Sequence, residues 1–127
     1  MRQRFFLEII FYSLNLYRNA HHMKLYKIKK DIGESVHWQL MAQKAKKCDT
    51  PVKITFRFNW GTKAIHDLDN YVATAKMVLD ALTPINLPKK TYGIGILPDD
   101  NTKFIKQLVF EEGDRKEQSI ELIIESI

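Results

Sequence analysis

Cysteine is almost missing from this 127-residue chain, where Cys48 stands alone. One thiol closes no internal disulfide and builds no thiolate zinc site, which excludes the disulfide-stapled secreted folds and suits a reducing cytoplasm. Long apolar runs are missing too. No stretch approaches the roughly 20 apolar residues needed to cross a bilayer, so a membrane is not among the expected partners. The segment from Met1 to Tyr12 starts basic and turns apolar, but Glu8 interrupts it and no small-residue cleavage site follows, unlike a secretory signal. A soluble, cytoplasmic protein is expected. There is no internal repeat, low-complexity tract or Gly/Ser linker, so residues 1–127 are expected to form one domain.

The chain is 45% hydrophobic, enough for a real core, although a domain this short hides surface with modest efficiency. Small size favours oligomerisation, and soluble oligomers are most often two-fold dimers. The net charge is +5 and is unevenly spread. Residues 1–66 carry thirteen Lys/Arg against four Asp/Glu, and residues 67–127 carry seven against eleven. A basic half joined to an acidic half suits a protein that holds a polyanion with one part and cations with the other. Two unevenly charged solvated surfaces would give the same balance.

Residues 4–12 are rich in β-branched and aromatic types and read as a first strand. A basic stretch at 18–30 leads into a helix expected over 31–47, with Val36, Leu40 and Met41 on one face. Residues 52–59 alternate apolar and polar with the period of a half-buried strand. A second helix is expected over 69–83, with Tyr71, Ala75, Val78, Leu79 and Leu82 forming its apolar face. Strands over 103–111 and 118–126 complete the chain, joined by Glu112-Gly113-Asp114-Arg115 as a hairpin turn. The order β-α-β-α-β-β predicts an α/β domain of the α+β type, with a mixed sheet of about four strands and two main helices.

Acidic residues recur at three places: Asp67-Leu68-Asp69-Asn70 before the second helix, Asp80 within it, and Asp99-Asp100 before the third strand. Each has an ordinary explanation, because Asp69 or Asn70 caps a helix well and Pro98-Asp99-Asp100-Asn101 is a common turn composition. In an extended segment, however, Asp67 and Asp69 point to the same side. Carboxylates converging on one spot repel one another unless a cation neutralises them, and hard oxygen ligands suit Mg²⁺ or Mn²⁺. Such ions activate water and stabilise charge on both oxygens of a phosphodiester displacement. If these residues meet in space, hydrolysis of a phosphate backbone is the expected chemistry.

Asp67-Leu68-Asp69-Asn70, Lys76-Met77-Val78-Leu79-Asp80-Ala81-Leu82 and Gly95-Ile96-Leu97-Pro98-Asp99-Asp100, in that order, resemble the RusA family of Holliday junction resolvases. Upstream, Ser13-Leu14-Asn15-Leu16-Tyr17-Arg18-Asn19 is similar to the segment near that family's amino terminus. The resemblance spans residues 5–125 and implies a homodimeric, Mg²⁺- or Mn²⁺-dependent endodeoxyribonuclease that resolves four-way and related branched DNA by paired nicks, in recombination and repair. It implies no organic cofactor. By the same resemblance Asp67, Asp69 and Asp100 are metal-binding catalytic carboxylates, Asp99 is their acidic neighbour, and Lys76 is the catalytic lysine. Lys76 follows Asp69 by seven residues, about one turn of ~3.6 residues later than the usual lysine. A helix running from Asp69 keeps it on nearly the same face about 4.5 Å further along, whereas a looped approach restores the usual place. Ala73, at the usual spacing, cannot replace it.

The resemblance makes residues 15–30 a DNA-binding segment. Arg18, Lys24, Lys27, Lys29 and Lys30 would neutralise phosphates, with Asn15 and Asn70 beside them in the matching motifs, while Tyr17 and Tyr26 would stack on exposed bases. A solvated basic loop is the plainer reading. His21, His22, His37 and His66 show no zinc spacing, and no catalytic role is assigned to them. Two rivals stand beside the nuclease: a branched-DNA-binding protein of the same fold that does not cleave, and a structural domain whose acidic turns are only caps.

Overall fold

A computed structural model describes residues 1–11, 18–19, 21–61, 71–84 and 94–127. Asn15, Tyr17, Asp67, Asp69 and Asn70 lie outside these residues. The described chain forms strand β1 (Arg2–Leu7), helix α1 (His22–Ala42), strand β2 (Val52–Asn59), helix α2 (Val72–Leu82), and strands β3 (Ile105–Glu112) and β4 (Ser119–Ser126). The four strands make one mixed sheet in the order β1-β4-β2-β3. The β1–β4 and β4–β2 pairs are antiparallel and β2–β3 is parallel. The expected fold class and element order are therefore present, in one small α+β unit.

β2 lies between β4 and β3, with one face wholly apolar and the other polar. Val52, Ile54, Phe56 and Phe58 face the core, while Thr55 and Asn59 on the polar face are covered as well because strands flank β2 on both sides. With β2 between β3 and β4, the segment 113–118 cannot be the expected hairpin turn. It crosses the end of β2 instead, where Gly113 N–H donates to Phe58 O (2.8 Å) and Arg115 N–H donates to Asn59 Oδ1 (3.1 Å). A Cβ on Gly113 would fall 1.9 Å from Asn59 Oδ1, so the crossing requires glycine. Glycine beside Asp suits either kind of turn, which is why composition could not separate them.

Helix α1 starts nine residues before the expected 31. Leu25, Ile28, Ile32, Val36 and Leu40 all pack on the core at helical spacing, so the apolar stripe runs unbroken through the lysine-rich half. The helix also stops at Ala42, short of the expected 47. Lys44 takes a left-handed backbone (φ 61°), its N–H donates to Met41 O (3.1 Å), and Ala45 N–H donates to Leu40 O (3.0 Å). This pair of bonds closes a helix end that usually carries glycine, and here no glycine announces it.

The outer edge of β1 is closed by side chains of α1. Gln43 accepts from Phe6 N–H and donates to Phe6 O, and Gln39 does the same for Glu8, at 2.7–2.9 Å. Two amides one helical turn apart imitate a neighbouring strand, satisfying backbone groups that an open edge would expose.

Left-handed backbone costs a non-glycine residue about 1–2 kcal/mol. Lys44→Gly is expected to raise unfolding free energy by ~0.5–1 kcal/mol in urea denaturation, with an unchanged m value.

Candidate active site

Helix α2 is buried almost all the way round. Ala73, Thr74, Ala75, Met77, Val78, Leu79, Ala81 and Leu82 are all buried, because the helix packs against α1 and its side chains join the same core cluster as those of β2 and β4. What stays open is one stripe, Val72, Lys76 and Asp80, spaced four residues apart and therefore aligned. Lys76 and Asp80 are the helix's two charged residues. They pair at 3.6 Å, with side-chain exposures of 55% and 31%. Ala73 sits in the core at 2% exposure, so a lysine there would have to be buried. The position one turn further along is where α2 can present a cation.

The segment after α2 brings the third acidic group to this stripe. Ile94 N–H donates to Ala81 O (2.8 Å), Leu97 N–H to Leu82 O (3.0 Å) and Gly95 N–H to Thr83 O (3.1 Å). The carbonyls that the end of a helix leaves without partners are thereby satisfied by the next stretch of chain. Gly95 permits the docking through its left-handed φ of 75°, and Ile96 and Leu97 bury themselves in the core. Asp100 follows three residues after Leu97 and comes close enough for its charge to act on Asp80.

Electrostatics single out Asp80. Burial pushes its carboxyl above the ordinary carboxylate value, and the Asp100 charge adds to that push. Lys76, and Lys29 from α1, pull the other way without cancelling it. Asp80, paired with Lys76, thus feels charge from α1, from its own helix and from the segment before β3. The sequence shows Asp80 as one of three acidic places but gives it no role in the metal site. The available signal was that Asp80 is the one acidic residue in a helix otherwise apolar enough to be buried.

Asp99 serves its own turn. Its Oδ1 accepts from Asp100 N–H (2.7 Å) and its Oδ2 from Asn101 Nδ2 (3.1 Å), so its carboxylate holds Asp100 in place from an exposed position. Lys24, Lys27 and Lys30 are exposed at three-residue steps on α1, Lys29 is half-buried, and Arg18 is exposed ahead of the helix. The basic residues expected on a loop thus stand largely on a rigid helix. His21 receives a structural role, its Nδ1 accepting from Met23 N–H (3.2 Å) at the start of α1. Cys48 is buried, which pushes its thiol pKa up and leaves it a poor nucleophile.

Asp67 and Asp69 belong to the segment 62–70, outside the described residues. The residues flanking it meet: Trp60 and Tyr71 have ring centroids 4.9 Å apart, and Tyr71 stacks on Phe58 at 4.3 Å. Phe11 joins the same aromatic cluster, packing edge-on against Phe58 and Trp60. Among the described residues no three His, Cys, Asp or Glu side chains form a group able to hold a metal. Asp80 and Asp100 are nonetheless hard oxygen donors, the kind Mg²⁺ accepts in ones and twos while keeping waters and phosphate oxygens as its other ligands.

A carboxyl whose pKa is raised by folding keeps its proton longer folded than unfolded, so its contribution to stability falls as pH rises from the unfolded value through the folded one. Asp80→Asn is therefore expected to match or exceed the wild type in melting temperature at pH 7. That advantage should shrink as pH drops below about 4, where both states of the wild type are protonated. Calorimetric melts across this range check it.

No protein-family model matches this sequence, and no curated protein matches it.

Proposed function

We propose that this chain is a metal-dependent endodeoxyribonuclease that cuts branched DNA, Holliday junctions included, as a homodimer. The observation that carries the reading is the open stripe of α2. A helix buried on every other side presents Lys76 and Asp80, whose carboxyl feels the charges of Asp100 and of the half-buried Lys29 of α1. A carboxylate kept in a desolvated place beside a like charge stores an unfavourable interaction that a bound cation would relieve. The flanking lysines provide the complementary charge for a polyanion.

In this reading Asp67, Asp69 and Asp100, together with Asp80, would hold Mg²⁺ or Mn²⁺, which would supply an activated water and charge neutralisation at the phosphate. Lys76, which pairs with Asp80 at 3.6 Å, would donate hydrogen bonds to the scissile phosphate where negative charge grows. Asp99 orients Asp100 through the backbone N–H it holds. Lys24, Lys27 and Lys30 line up along α1 and Arg18 precedes it, so their charges follow a phosphate backbone without reading bases. Asn15 and Asn70 are assigned to the same DNA contact. Two copies related by a two-fold axis would match a four-way junction, whose opposed strands are equivalent.

Cleavage of a labelled synthetic four-way junction, beside a linear duplex of matched sequence, tests the reading. Paired nicks in the junction alone are expected with Mg²⁺. Asp69→Asn and Asp100→Asn should lose them at least a hundredfold while still binding the junction. Binding should weaken steeply with salt, and Lys24→Ala/Lys27→Ala should flatten that dependence. Tight junction binding by the wild type with no nicks in Mg²⁺ or Mn²⁺ would favour the non-cleaving binding protein instead.

A further inference from the structure

The two edges of the sheet are treated differently. On the β1 side, Gln39 and Gln43 occupy the backbone groups that face outward. On the β3 side no strand or glutamine pair among the described residues does this, and Leu108 is 42% exposed with Lys106, Gln107 and Glu112 exposed around it. β3 contains no proline, its one bulge lies at its start at Lys106, and from Gln107 onward it runs regularly with an apolar side chain open in its middle. Edges of that kind pair with another strand unless something blunts them.

The order of residues along β3 says which strand fits. Lys106 lies near its start and Glu111 and Glu112 at its end, with Leu108, Val109 and Phe110 between. A second β3 running antiparallel, related by a two-fold axis through Val109, places Lys106 opposite Glu112 twice and Leu108 opposite Phe110 twice. From Gln107 to Glu111, past the bulge at Lys106, residues of like parity meet in this register, so each side chain there faces a neighbour on its own side of the sheet. A parallel copy would set like charges side by side. We infer that β3 is the homodimer interface, pairing antiparallel with β3 of a second copy about Val109 to give a continuous eight-stranded sheet.

This inference rests on the reading of the chain as a homodimer and adds where the copies meet. The test combines mass measurement by light scattering with two substitutions. Leu108→Asp, at an exposed position, should weaken the dimer by about tenfold or more while leaving the far-ultraviolet circular dichroism unchanged. Val109→Cys, which meets itself across the axis, should give a covalent dimer under a mild oxidant, because facing residues of antiparallel strands lie within disulfide reach. The wild type, whose Cys48 is buried, should not. A wild-type dimer that survives Leu108→Asp and does not cross-link through Val109→Cys would overturn the interface and leave the homodimer standing. A monomeric wild type would overturn both.

Discussion

Three backbone hydrogen bonds between the end of α2 and residues 94–97 hold the candidate site together. They satisfy carbonyls that would otherwise lack partners, and they fix the chain that carries Asp99 and Asp100 against the helix that carries Lys76 and Asp80. Ile96 and Leu97 anchor that segment in the core, and Gly95 gives it a backbone few other residues adopt. Without this docking Asp100 would belong to an ordinary turn before an edge strand. With it, two like charges sit close enough to oppose one another, which is a poor arrangement for stability and a useful one for binding a cation.

The same economy of placement runs through α2. A helix with eight buried residues in eleven has little freedom in where it sets its charges. Position 73 faces the core and position 76 faces out, so Lys76 is exposed for reasons of packing before any question of chemistry. The basic residues of α1 are constrained similarly. Leu25 and Ile28 fasten the helix to the core and leave Lys24, Lys27 and Lys30 on its outer side, where they keep fixed spacing.

Much of this was legible in the residues. The alternation in 52–59 marks β2 to the residue, and the element order follows from periodicity. Three features were hidden for physical reasons. The density of charge at 24–30 disguised an apolar stripe that continues through Leu25 and Ile28. The stop of α1 rests on a left-handed lysine, where composition offers no glycine to mark it. Glycine and aspartate at 113–114 suit a hairpin and a crossing equally, and only the competition of strands for the sheet centre decides between them. At the site, Asp100 and Lys76 could be nominated from motif order, whereas Asp80 emerges only once burial is known. Asp67 and Asp69 lie outside the described residues, in the sequence between Trp60 and Tyr71, whose rings are in contact.

The central claim is that Asp80 and Asp100, with Lys76 beside them, face one cation position. Paramagnetic Mn²⁺ titrated into isotope-labelled protein tests it most directly, since the ion broadens amide signals only near where it binds. Selective broadening of residues 76–80 and 99–101, abolished by Asp100→Asn, is the expected result. Broadening confined to other acidic surfaces, such as Glu111 to Glu117, or none at all, would contradict it.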